Sequence, residues 1–135
     1  MSIAHEYAAI PYEDGGRTRA GADCWGIVRL VLLEQFGVPW LAEWGDVFDG
    51  QHERIHAAFT ASRPEFYQVR DPQAGDVVCV FNAEGWCAHV GVVIPGDSAH
   101  VVMHTRPDAG VSTLSVQRFS RLYDHRIEYW RYAYD

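Results

Sequence analysis

One cysteine and two histidines in this sequence are of the types that carry out nucleophilic catalysis. Cys24 lies in the motif D-C-W-G, His89 opens the motif H-V-G, and His104 ends the next β-branched run. A thiol becomes a nucleophile when a neighbouring base takes its proton, and a third group must orient the ring of that base. The pattern therefore predicts Cys24 as nucleophile, His89 as general base and acid, and His104 as the orienting residue.

The segment 23–36 predicts a buried helix that begins at the candidate nucleophile. Its apolar residues form a broad face, and Gly37 follows as a stop signal. Asp23 is a typical N-cap residue, so Cys24 is expected in the first turn. Unpaired N–H groups and the positive end of the helix dipole lower a thiol pKa there, so we expect an imidazolium–thiolate pair with His89.

The second half of the chain predicts an antiparallel sheet of about five strands. Short β-branched runs separated by turn signals occur at 76–81, 86–94, 100–104, 111–116 and 127–132. A hairpin between the second and third runs would bring His104 close to His89. His100 is in phase with His104 and is the alternative orienting residue.

Composition limits the classes of function that the chain can have. The 135 residues suit one domain, and the net charge of -7 without any lysine argues against a broad nucleic-acid-binding surface. No apolar run reaches the roughly 20 residues of a membrane span, and no signal peptide is visible, so cytoplasmic synthesis is expected. We predict a single α+β domain with an irregular N-terminal lip (1–21), a helical part (22–61, with a weaker helix over 49–61) and an antiparallel β part (66–135).

Each candidate residue also has a structural interpretation. Cys24 is one of three cysteines without a C-x-x-C pair, and a buried free cysteine often behaves as a small apolar residue. Cys87 and His89 would face the same side of an extended strand and, with Cys24 and His104, make a Cys2His2 zinc set. Zinc sites usually contain close ligand pairs, so we predict no metal and no cofactor. His52 and His56, four residues apart, most simply lie on a solvated helix face.

Five short motifs between residues 11 and 104 occur in a fixed order, and the chain resembles one known family from about residue 11 to residue 131. They are P-Y-x-x-G-G at 11–16, G-x-D-C-x-G at 21–26, A-G-D at 74–76, H-V-G-V-V-I at 89–94 and V-M-H at 102–104. This order resembles the NlpC/P60 family of cysteine peptidases. The resemblance implies a papain-like α+β fold, in which the nucleophile at a helix N-terminus packs on the sheet. It also implies that Cys24, His89 and His104 are the catalytic residues.

The resemblance further implies a substrate and a setting. The family hydrolyses amide bonds in the peptide stems of peptidoglycan, such as that between γ-D-Glu and diaminopimelate, by thiolate attack and an acyl-enzyme. The form D-C-W-G-I-V-R is similar to the phage and prophage branch, which implies phage tail proteins as partners and action from a virion tail in the periplasm or cell wall. The alternative is a non-catalytic docking module of a tail assembly with the same fold.

Four residues are predicted to contact substrate. In many family members a serine follows the nucleophile and, with the preceding Asp and an upstream Tyr, binds a free N-terminal amine; these positions correspond to Trp25, Asp23 and Tyr12. Trp25 cannot accept a hydrogen bond from an amine, so the bond that is cleaved stays open. The Cys24 backbone N–H and the Tyr12 hydroxyl are candidates for the oxyanion site, and Trp86 is expected to line the groove.

Overall fold

Helices pack on an antiparallel sheet in the computed structural model, which describes residues 2–39, 52–123 and 126–134, apart from the side chains of His52 and Arg54. The helices are α1 (Ile3–Tyr7), α2 (Cys24–Phe36), α3 (His52–Ser62) and α4 (Val116–Leu122), with a 3₁₀ helix at Arg63–Glu65. The strands are β1 (Arg17–Thr18), β2 (Gly21–Ala22), β3 (Phe66–Val69), β4 (Val77–Phe81), β5 (Cys87–Pro95), β6 (His100–Arg106), β7 (Gly110–Ser115) and β8 (Arg126–Tyr132). None of the described helices has the length and apolar character that a bilayer span requires.

Helix α2 is fixed at both ends as the sequence predicts. The Asp23 carboxylate caps its N-terminus by accepting a hydrogen bond from the Gly26 N–H at 2.8 Å. Gly37 ends the helix with a φ of 68° and donates its N–H to the Leu32 carbonyl. That left-handed conformation is readily adopted by glycine alone. Cys24 is therefore the first helical residue.

The main sheet has six strands in the order β3-β8-β4-β5-β6-β7. Strands β5 and β6 form the predicted hairpin, with Val92 opposite Met103. Within this sheet, the strand that the sequence did not predict is β3, which pairs with β8 at the sheet edge. β3 has four residues, two of them exposed, so it carries too few apolar positions to show a period of two.

The two faces of the sheet pack against different helices. The face that we call the α2 face carries Cys79, Cys87, Val90 and Val92, which form one buried cluster with residues of α2 and α3. The opposite face, called the α4 face, forms a second cluster around Phe119 of α4, and its strand residues are Val78, Val80, Val93 and Val102. Most of the core therefore lies between the sheet and the N-terminal helices, and α4 covers a smaller part of the other side.

Two segments contain more regular structure than expected. The lip holds the short helix α1 and strand β1, and β1 pairs with β2 immediately before α2. Helix α4 lies inside the part expected to be β alone, and it buries only Phe119. The weaker helix predicted over 49–61 is present as α3, while residues 49–51 lie outside the described part. That these parts form a single domain stays a prediction.

Candidate active site

His89 and His104 are hydrogen-bonded to each other on the α4 face. Nε2 of His89 lies 2.9 Å from Nδ1 of His104, and the two rings meet edge to face. Both side chains are buried, with 7% and 1% of their surface exposed. His100 pairs with Pro95 at the other end of β6 and is exposed. The hairpin thus places His104, and not His100, against His89.

The surroundings of the pair keep both imidazoles neutral. Burial, followed by the charges of His104 and Arg106, lowers the pKa of His89 to about 3. Burial, followed by the charge of Arg106, lowers the pKa of His104 to about 4. The ring of Tyr123 stacks on His89 at 5.2 Å, and Phe119 packs edge-on against His104 at 5.1 Å. Aromatic side chains of α4 and of Tyr123, the residue that follows it, therefore provide much of the apolar covering.

This environment alters the protonation state expected for the resting site. An imidazolium at His89 is disfavoured by burial and by the charge of Arg106. The preformed imidazolium–thiolate pair expected from the sequence is therefore disfavoured as well. A neutral His89 can still accept a proton when a nucleophile attacks, which is general-base catalysis.

A β-bulge sets the directions of the side chains at the start of β5. The pairing with β4 changes from Val80–His89 to Phe81–Cys87, so Ala88 is the extra residue. Cys87 therefore packs in the α2-face cluster, whereas His89 points to the α4 face. The expectation that Cys87 and His89 share one face is wrong for this reason, and they cannot form part of one zinc set. Among the described residues, no three His, Cys, Asp or Glu side chains are grouped to hold a metal.

Cys24 lies at the start of α2, within the α2-face cluster. It is buried and not disulfide-bonded, and it shares this cluster with Val90, the residue that follows His89. The strand segment that carries the base thus packs in the same cluster as the nucleophile, although the ring of His89 projects to the other face. The roles of Cys24 as nucleophile and His89 as its base stay predictions.

Asp23 is engaged by three donors of the protein itself. Its Oδ1 accepts the N–H of Gly26, and its Oδ2 accepts the N–H of Gly15 at 3.1 Å and Nη1 of Arg17 at 2.6 Å. Both charged side chains are buried, with 1% of Asp23 and 5% of Arg17 exposed. Burial raises the pKa of Asp23 above its usual value, and the bonds it accepts counteract part of this rise. In this arrangement the carboxylate holds the start of α2 in place.

Arg17 was not identified from the sequence. Its burial depends on the pairing of β1 with β2, which sets Arg17 opposite Ala22. A single arginine between glycines and a threonine gives no periodic signal. The nearest hint was the N-cap Asp23, since a buried carboxylate needs a cationic or N–H partner.

The lip segment is held beside the start of α2. Tyr12 forms a bridge with Ala22, and the Glu13 N–H donates to the Ala22 carbonyl. The Tyr12 hydroxyl donates to Oδ1 of Asp14 at 2.9 Å. The backbone of Tyr12 is therefore fixed beside Ala22, two residues before the nucleophile, while its hydroxyl faces Asp14. A role of Tyr12 at the oxyanion stays a prediction.

The two tryptophans predicted to contact substrate have different environments. Trp25 is 5% exposed and lines a small apolar cavity with Phe59, Val90 and Trp130, so its ring belongs to the α2-face core. Trp86 is half-buried in the turn before β5, where its backbone exchanges hydrogen bonds with Asn82. Trp86 is thus the tryptophan with accessible surface, and a substrate contact there stays a prediction.

His56 makes a specific contact with the start of β5 instead of lying on a purely solvated helix face. Its Nδ1 accepts the Cys87 N–H at 2.9 Å. The ring also packs against Phe59 and Phe81. The side chain of His52 lies outside the described part.

Comparison with known proteins agrees with this architecture. The sequence profile described as "NlpC/P60 family" matches residues 9–131. No curated protein sequence gives a significant match. Among solved structures, the crystal structure of the NlpC/p60 domain of the peptidoglycan hydrolase SagA is similar at a TM-score of 0.58 and 25% identity, over 93% of this chain and 90% of that one. Because the profile covers most of the sequence, the chain belongs to the NlpC/P60 family, the family of cysteine peptidases that its motifs resemble.

Proposed function

We propose that this protein is a cysteine endopeptidase that hydrolyses amide bonds in the peptide stems of peptidoglycan, such as that between γ-D-Glu and diaminopimelate. The observation that carries the proposal is the buried hydrogen bond between His89 and His104, whose rings are both neutral. Val90, the residue after His89, packs in the same cluster as Cys24. The similar NlpC/p60 domain belongs to a peptidoglycan hydrolase, which supports the substrate class.

In the proposed reaction, Cys24 Sγ attacks the carbonyl carbon and its thiol proton passes through a water molecule to Nδ1 of His89, because the His89 ring projects to the face of β5 away from the cluster of Cys24. His89 then gives this proton to the leaving amine, and the acyl group stays on sulfur as a thioester. Water, activated by the same imidazole, hydrolyses the thioester and regenerates the thiol. The Cys24 N–H at the start of α2 would stabilise the oxyanion, and the Tyr12 hydroxyl would join it by giving up its hydrogen bond to Asp14.

The environment of Asp23 refines the substrate class. Its carboxylate is 1% exposed and already accepts bonds from Arg17 and two backbone N–H groups, so a substrate amine would reach it only if covering protein groups moved. The proposed enzyme therefore does not depend on a free N-terminal amine. It therefore also acts on stems whose first residue is acylated, as in intact peptidoglycan.

The test is digestion of purified Gram-negative peptidoglycan and of defined stem peptides, with fragments identified by mass spectrometry. Wild-type protein should release fragments and Cys24→Ala should release none. Cys79→Ala is the matched control, because Cys79 lies in the same cluster and burial raises its thiol pKa. We expect this control to cut as the wild type does. An absence of cutting by folded wild-type protein would contradict the peptidase and leave the non-catalytic docking module.

Association with a phage tail is proposed on narrower grounds. It is supported by the form D-C-W-G-I-V-R, which is similar to the phage and prophage branch of the family. Recovery of the protein in purified tail particles would support this setting. Its absence from such particles, with the free protein detected in the same lysate, would contradict it.

A further inference from the structure

A serine extends the histidine pair on the α4 face. Ser112 lies on β7 directly opposite His104 in the strand register. Its Oγ is 3.3 Å from Nε2 of His104, while Nδ1 of His104 faces His89. Both ring nitrogens of this buried histidine therefore have a hydrogen-bonding partner. The three side chains form one continuous chain from the candidate base to a half-buried hydroxyl.

We propose that Ser112 is a positioning residue that keeps the proton of His104 on Nε2, and thereby leaves Nδ1 of His89 unprotonated for the nucleophile. The inference rests on the proposed peptidase function and adds a fourth residue to its site. Ser112 touches neither substrate nor nucleophile, and it acts through His104 alone.

The argument follows from counting protons on two neutral imidazoles. If His104 donates Nε2–H to Ser112, its Nδ1 must accept from Nε2–H of His89, and Nδ1 of His89 is then a bare acceptor. In the reverse arrangement Ser112 donates, Nδ1 of His104 carries the proton, and His89 must be protonated on Nδ1. Only the first arrangement gives a general base that can take a thiol proton.

The hydroxyl oxygen makes the first arrangement favourable. Without it, Nε2–H of His104 would be a buried donor with no acceptor, which is costlier than a buried acceptor without a donor. The other groups around His104 are the aromatic rings of Phe119 and Tyr123 and the positive charge of Arg106. The ring of Phe119 and the guanidinium of Arg106 offer no acceptor, and the acceptor that the structure shows at Nε2 is the Ser112 hydroxyl. Removing the hydroxyl should therefore shift the pair towards the reverse arrangement.

The direct test is the protonation pattern of the imidazole nitrogens, read from nitrogen chemical shifts of ¹⁵N-histidine-labelled protein at neutral pH. In the wild type, both His89 and His104 should be protonated on Nε2. In Ser112→Ala the proton of both rings should move towards Nδ1. Ser112→Thr keeps the hydroxyl and should retain the wild-type pattern. Thr113→Ala changes an exposed neighbour on the same strand and should also leave it unchanged.

The kinetic test uses the stem peptide that wild-type protein cleaves. We expect kcat/KM to fall about tenfold in Ser112→Ala, mainly through kcat, as the loss of one buried hydrogen bond predicts. Ser112→Thr and Thr113→Ala should stay close to wild type. The inference is overturned if wild-type His104 carries its proton on Nδ1, or if Ser112→Ala keeps both the nitrogen pattern and kcat/KM. An inactive wild type would overturn the peptidase function instead, and the nitrogen pattern would still decide the role of Ser112.

Discussion

Nη1 of Arg17 lies 2.6 Å from Oδ2 of Asp23, and this buried ion pair fixes the first turn of the helix that carries Cys24. The same carboxylate caps the helix by accepting the Gly26 N–H, and it holds the N-terminal lip in place by accepting the Gly15 N–H. One side chain therefore joins the lip, strand β1 and helix α2 at the candidate nucleophile. The position of Cys24 is thus set by contacts outside its own helix.

Replacing Arg17 with methionine should destabilise the fold strongly. Asp23 would keep a buried charge without its cationic partner, and breaking such a pair costs about 3 to 5 kcal/mol. Urea unfolding followed by circular dichroism measures the loss. Arg19→Met is the control, because Arg19 forms exposed ion pairs with Glu6 and Glu34, and it should cost about 1 kcal/mol or less. Equal losses for both variants would contradict the importance of the buried pair.

Local signals in the sequence predicted the elements of the site, and long-range pairing decided its details. The helix bounds, the Asp23 cap and the β5–β6 hairpin each follow from a few consecutive residues, and all three are confirmed. The bulge at Ala88 depends on how two strands pair, and no nearby residue signals it. For that reason simple alternation placed Cys87 on the face of His89, although Cys87 lies on the other.

The same distinction explains the residues that sequence reasoning missed. Arg17 and Ser112 act through contacts across strand pairs that no motif records. The aromatic residues of α4 lie in a helix too short to show a clear apolar period. Burial by the rings of Phe119 and Tyr123 also explains why the resting histidines are neutral. The protonation state depends on all the groups that pack around His89 and His104, and these groups are distant in the sequence.

Blocking the amine of a stem peptide should have little effect on cleavage. Asp23 is occupied by Arg17 and backbone donors, and Trp25 provides no acceptor. An N-acetylated stem peptide should be cut with a kcat/KM within about threefold of the free peptide, since no charged contact of about 1.5 to 3 kcal/mol is lost. Paired digestions read by mass spectrometry give the ratio. A loss of a hundredfold or so would contradict this prediction and restore Asp23 as an amine site.

Acid should destabilise the protein through the histidine pair. Folding lowers the pKa of His89 to about 3 and that of His104 to about 4, from an unfolded value of 6.5. The unfolded chain therefore binds more protons, so stability falls as the pH drops below 6.5. At pH 5 the free energy of unfolding is lower by about 2 kcal/mol for each histidine.

Urea unfolding of wild type and His104→Gln at pH 7 and pH 5 measures this dependence. The variant should lose clearly less stability between the two pH values than the wild type does. His100→Gln changes an exposed histidine of the same strand and should keep the wild-type dependence. The same acid loss in His104→Gln as in wild type would contradict the assignment.

The charge of Arg106 should set the acid limit of catalysis. Arg106 follows His104 by two residues on β6, so both side chains lie on the α4 face, and its charge lowers the pKa of both histidines. In Arg106→Gln this repulsion is removed, protonation becomes easier, and the acid limb of kcat/KM should move to higher pH. Nuclear magnetic resonance titration of the two rings should show the same upward shift. Arg118→Gln, at an exposed position of α4, is the control and should leave both unchanged. An acid limb that stays at the wild-type pH in Arg106→Gln would show that burial alone keeps the pair neutral.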